Sequence, residues 1–226
     1  MTDTIAPLLA DTAAVPASHR PPSTRLLPAA GAVAGPLFLG TGLVQGLTRH
    51  GFDFSRNAIS RLSLGDLGWI QVTAFLLTGA LLIAGAVGLH RVLRGGYGGT
   101  WVPRLVGVFG ASFLFCAFFT ADPGGGFPVG DPAAGSGALS PHGTLHMLGG
   151  MVGYLALCAA FLLLGRRFAA ERRRGWAVGS RLAPAGVLAG FAGSSATVLA
   201  FTLGAGLGLL WLTAATARLG ASASDS

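Results

Sequence analysis

His142 and His146 stand four residues apart in the stretch SPHGTLH, 140–146. On a helix that spacing puts both imidazoles on one face, as a pair of metal ligands requires. Ser140 is a good N-cap and Pro141 suits the first helical position, so a helix is expected to start there. The positive end of its dipole disfavours imidazolium and keeps the rings neutral and able to ligate. Asp122, at the far end of the same polar stretch, offers a carboxylate as third ligand. Zinc held by His142, His146 and Asp122, with one open position, would acidify a bound water and supply the nucleophile for hydrolysis. No other cofactor is indicated. An aspartate that closes a helix is misplaced in the dipole field, so Asp122 needs a metal, an arginine or a hydrogen-bond donor. The plainer reading makes both histidines hydrogen-bonded scaffold at a helix end.

Ser60 and Ser63, in AISRLSLGDLG, are the other candidates for chemistry. A serine nucleophile needs a positioned base and an oxyanion hole. Nothing in the sequence sets His142 beside Ser60, and hydrogen bonding within a short turn accounts for both serines. The stretch 49–68 carries Arg49, Arg56 and Arg61 against Asp53 and Asp66, whereas 122–140 carries Asp122 and Asp131 and no basic residue. Docking one on the other would pair Arg56 and Arg61 with those aspartates in a charged cap.

These residues lie between long apolar runs. Of 226 residues 52% are hydrophobic and only 10% charged, which marks an all-α polytopic membrane protein rather than a soluble domain. Spans are expected at about 29–48, 69–89, 104–121 and 141–165. The run 182–217 would measure about 54 Å as one helix, against a hydrocarbon core of about 30 Å. It therefore reads as two spans turning near 200–204. Gly31, Gly35, Gly42 and Gly46 repeat at small-xxx-small spacing, and Gly186–Gly190–Ser194 and Ala200–Gly204–Gly208 form two further small faces.

Every basic residue is arginine. With the N-terminus inside, all but Arg49, Arg56 and Arg61 fall on the inner side, so arginine placement votes for six spans, N-in and C-in, in the cell (inner) membrane. Both polar stretches then face outward. No basic module outside the spans could serve nucleic acid, and the lipid bilayer is the partner that composition requires. Cys116 and Cys158 fall within apolar runs and read as small buried hydrophobes. Residues 1–28, rich in Ala, Pro, Ser and Thr, are expected to form a disordered cytoplasmic tail rather than a signal peptide. The membrane domain covers 29–219 and a short tail 220–226. No Asp or Glu lies mid-span to mark an ion path, and Gln45 is the one strongly polar residue of the first span.

Three motifs in order carry a resemblance: SRLSLGDLGWIQ (60–71), FFTADPGGGFPVG (118–130) and SPHGTLH (140–146). Over roughly 30–218 the chain resembles the bacterial membrane family catalogued as domain of unknown function (DUF) 998. That family's pattern falls on Ser60, Leu62, Ser63, Gly65, Gly68 and Trp69, on Asp122, Pro123, Phe127 and Pro128, and on His142, Gly143 and His146. The resemblance implies six spans and no particular activity. It departs near 200–204, where the last link looks shortened. The expectation is an integral membrane protein whose outward polar cluster is structural or binds a ligand or partner. The alternative is a metal-dependent hydrolase acting on lipid or another envelope substrate.

Overall fold

The computed structural model describes residues 23–222, which form six α-helices and two short 3₁₀ turns. The helices are α1 (Ser23–Thr48), α2 (Gly68–Val92), α3 (Trp101–Phe118), α4 (Pro141–Ala170), α5 (Arg174–Gly193) and α6 (Val198–Ser222). The 3₁₀ turns are Ile59–Ser63 and Pro132–Gly135. Five helices are long and apolar enough to cross a membrane: α2, α3, α4, α6 and, from Leu26, α1. The sixth, α5, has 20 residues, about 30 Å at 1.5 Å per residue, and carries Arg174 and Arg181.

Each helix packs on its neighbours in sequence, and α6 returns to α1, so the six close into a ring. The short links 93–100, 171–173 and 194–197 make the helices they join antiparallel neighbours. Glycines set how closely they approach. A Cβ on Gly31 would lie 3.0 Å from the Gly85 Cα, and one on Gly35 only 2.9 Å from the Leu209 carbonyl oxygen. At the α5–α6 seam a Cβ on Gly190 would lie 2.7 Å from the Gly204 Cα. In lipid, helices gain little from hydrophobic burial against one another, and close backbone packing supplies the association. Of the small residues expected to form seams, Gly31, Gly35, Gly186, Gly190, Gly204 and Gly208 meet neighbouring helices, whereas Gly42 and Gly46 pack on Ile59 and Phe54 of the 49–67 connection.

The inside of the ring is aromatic. Phe38 meets Phe75 and Phe113 edge-on at 4.9 and 5.0 Å between centroids, and Phe109 meets Phe113 and Tyr154 at 5.1 and 5.2 Å. Edge-to-face pairs of this kind add to the burial of the rings. Leu157, Leu164, Leu209 and Leu212 are buried in the same core. The connections 49–67, 119–140 and 194–197 gather at one end. At the other, Arg166 Nη1 donates to the Tyr97 hydroxyl at 3.1 Å and Arg167 pairs with Glu171 at 2.9 Å.

Several boundaries differ from expectation: α4 runs to Ala170 rather than 165, and α5 starts at Arg174 rather than 182. The expected tail 1–28 lies outside the described residues up to position 22, but 23–28 already belong to α1. Pro28 is accommodated because it packs on Gly88 and Gly220, where neither neighbour has a side chain. The third span ends at Phe118, short of Asp122. The last turn falls at 194–197 rather than 200–204. There the Ser194 and Ser195 hydroxyls donate back to the Phe191 and Ala192 carbonyls, and the Val198 N–H and Thr197 hydroxyl both donate to the Ser55 carbonyl. Finally, α6 runs to Ser222, into the expected tail 220–226, and 223–226 lie outside the described residues.

Candidate ligand-binding cavity

Asp122 lies beyond the end of α3, in an extended segment that reaches the start of α4. One carboxylate oxygen accepts from the Ser140 N–H at 2.7 Å and the other from the Ser140 hydroxyl at 2.6 Å. The same hydroxyl accepts from the Gly143 N–H at 3.0 Å and so caps the helix. Asp122 is thus not at a helix C-terminus, as expected, but at a helix N-terminus, where the dipole favours it. Its partner is a hydrogen-bond donor. Gly143 makes this possible, because a Cβ there would overlap the Asp122 carboxylate.

His146 is buried one turn further on. Its Nδ1 lies 2.7 Å from the Phe119 carbonyl oxygen. A carbonyl only accepts, so Nδ1 carries the proton and Nε2 of the neutral ring is an acceptor. The ring meets Phe75 edge-on at 5.9 Å. His142 is exposed, its ring 5.3 Å from that of Phe119. Among the described residues no group of three or more His, Cys, Asp and Glu side chains is placed to hold a metal ion. Asp122 engages Ser140 through both oxygens, and His146 engages Phe119 through Nδ1, which leaves Nε2 as an acceptor.

The two loops do dock, but through main-chain carbonyls. Asn57, fully buried, donates from Nδ2 to the Gly124 carbonyl at 2.9 Å and accepts the Asp53 N–H at 3.0 Å. Arg61 donates from Nε to the Asp122 carbonyl at 3.3 Å and from Nη1 to the Arg56 carbonyl at 3.0 Å. Arg49 clamps the 3₁₀ turn by donating to the Leu62 and Leu64 carbonyls, both at 2.6 Å, and lies over the buried Phe127 ring at 4.9 Å. Arg56 pairs with Asp53 of its own loop at 3.0 Å, and Asp131 caps its own turn by accepting the Ala133 N–H at 2.8 Å. No ion pair joins the two loops among the described residues. The expected charged cap is replaced because irregular loop backbone leaves carbonyls without helical partners, and these take the arginine and asparagine donors.

Beneath this lid the helices line a partly open cavity of about 370 Å³. Its wall is apolar and aromatic, from Phe38, Phe75, Phe113, Met147, Met151, Phe201 and Leu209 among others. Ser60, Arg61, Asp122 and His146 line it beside the lid. Burial pushes the Arg61 guanidinium below its ordinary pKa, while the nearby charge of Asp122 pushes it up. Ser63 does not reach the cavity. Its hydroxyl is buried without a hydrogen-bond partner, and its carbonyl packs closely on Gly68. A Cβ on Gly150, which also lines the cavity, would meet nothing within 4 Å. The volume, the apolar wall and a few convergent polar groups are the usual character of a small-molecule site.

The sequence pattern of one family, described as Protein of unknown function (DUF998), matches residues 32–218. The chain belongs to that family. No curated protein and no solved structure matches it. The three motifs that carried the resemblance meet in the lid: Leu62 and Gly65 around Arg49, Phe127 beneath Arg49, and Gly143 and His146 around Asp122 and Phe119. Asn57, Arg49 and Tyr154 were not singled out from sequence. The signal for Asn57 was available: it is the only asparagine in the chain.

Proposed function

We propose that this integral membrane protein binds a lipid-like amphiphile in the ring cavity, apolar chain against the phenylalanines and head beneath the lid. The observation that carries the reading is a broad apolar wall joined, beside the lid, by the charged Arg61 and Asp122 and by His146. With six crossings and the arginine-rich end inside, in the cell (inner) membrane, the lid faces outward. The polar cluster then serves ligand binding and loop docking rather than hydrolysis.

Gly150→Phe tests the reading, since Gly150 lines the cavity and a Cβ there meets nothing within 4 Å. The protein is purified in mild detergent and examined by native mass spectrometry for co-purifying lipid. A bound amphiphile in the wild type, lost in a Gly150→Phe protein that melts within a few degrees of it, is the expected result. Retention of the same ligand by the variant would overturn the assignment to this cavity.

A further inference from the structure

We infer that the lid side of the cavity takes an oxyanion head, a carboxylate or a phosphate, and that Arg61 grips it. The inference rests on the cavity reading and adds the chemistry of the head. Arg61 is held by two neutral carbonyls, those of Asp122 and Arg56, which orient the guanidinium without compensating its charge. No carboxylate lies within 4 Å of it among the described residues. The two nearby candidates are engaged elsewhere: both Asp122 oxygens accept from Ser140, and Asp53 pairs with Arg56. Nη2 packs beside Gly124 with no hydrogen-bond partner among the described residues, and Arg61 lines the cavity. An anchored guanidinium with donor hydrogens to spare can hold a carboxylate or phosphate oxygen.

The apolar wall strengthens the argument. An uncharged alkyl ligand would expel water from the cavity and leave the guanidinium desolvated, with only the nearby but unpaired charge of Asp122 to offset it, which is unfavourable. A ligand with an oxyanion head fills the cavity and pairs the charge in one step. Asp122 does not compete for that role, because its hydrogen bonds to Ser140 hold it on the helix end.

The test compares three labelled probes with one chain and different heads: dodecyl phosphate, dodecanoate and dodecanol. Each is bound to the full chain in phosphatidylcholine nanodiscs at neutral pH, with Arg61→Gln and Arg61→Lys alongside. The expected result is that one or both anions bind the wild type about tenfold or more tighter than the alcohol, the size of a charged hydrogen bond. Arg61→Gln is expected to erase that preference and leave dodecanol binding in place, with Arg61→Lys between. If Arg61→Gln does not fold, the wild-type comparison still decides the head and Arg61→Lys, with its weakened preference, the role of Arg61. Equal binding of all three probes would overturn the head assignment and leave the cavity reading standing. No binding of any probe would overturn both. Inorganic phosphate alone binding as tightly as dodecyl phosphate would overturn the cavity reading, since the chain would then contribute nothing.

Discussion

Both carboxylate oxygens of Asp122 are bound by one residue, Ser140, whose hydroxyl also caps α4 through the Gly143 N–H. The end of one helical hairpin is therefore tied to the start of the next by a charged group at a helix N-terminus. A hydrogen bond to a charged partner contributes about 1.5–3 kcal/mol and an N-cap about 1 kcal/mol. Ser140→Ala is expected to destabilise by about 2 kcal/mol and Asp122→Asn by a similar amount. Because the two act as one unit, the double variant should fall well short of the sum. Thermal unfolding of the four proteins in one detergent measures this. Additive losses would show that Asp122 and Ser140 work independently.

Gly143 and Gly150 form a controlled pair on α4. A Cβ at Gly143 overlaps the Asp122 carboxylate, whereas one at Gly150 meets nothing within 4 Å. Gly143→Ala must displace Asp122 or the helix start, with an expected loss of about 1–3 kcal/mol. Gly150→Ala gains helix propensity, up to about 1 kcal/mol, and should be neutral or stabilising. The melting temperatures of the two variants should move apart. If both fall together, the close approach of Asp122 to Gly143 does not hold in the folded protein.

Asp53 supplies an acid-side dependence for the lid. The Ser55 hydroxyl and N–H donate to its carboxylate and, with Arg56, hold its pKa below the ordinary 3.8. A carboxylate depressed in the folded state stabilises it above the unfolded value, and that contribution fades as pH falls through the folded one. Stability should therefore be flat in this respect above about pH 5 and decline below the ordinary carboxylate value of about 3.9. Asp53→Asn should have a shallower decline over the same window. The contribution is small, since the group is exposed and screened. Melting curves of both proteins from pH 6 downward check it; parallel curves would remove Asp53 from the lid's acid response.

The long apolar runs and the Ser140–Pro141 start were legible because hydropathy and cap chemistry act locally. The turn at 194–197 was not. Its cues are the hydroxyls of Ser194, Ser195 and Thr197, which bond to nearby or lid carbonyls, and hydroxyls mark turns more weakly than Asn, Asp or Pro. At the site, the spacing of His142 and His146 put them on one helix without saying that His146 turns to Phe119 while His142 stays exposed. The lid's charge balance suggested ion pairs across the loops, but the donors went to carbonyls, because backbone hydrogen-bond demand does not appear in side-chain composition. The cavity was not legible at all. It exists only once the ring closes α6 on α1.

Amides were a better guide than charges. The chain has two glutamines, Gln45 on α1 and Gln71 on α2. Both are buried, and Gln45 Nε2 donates to Gln71 Oε1 at 2.8 Å. Gln45 Oε1 and Gln71 Nε2 are buried without partners. Removing one amide leaves the other's remaining groups more fully orphaned, at about 1–3 kcal/mol. Removing both replaces the pair with apolar surface inside a bundle that already matches lipid, which is nearly neutral. Gln45→Leu and Gln71→Leu are each expected to lower stability, and the double variant to recover most of the loss. A double-mutant cycle on melting in detergent reads the coupling directly. A double variant no more stable than the weaker single one would mean that the amides are held by groups other than each other.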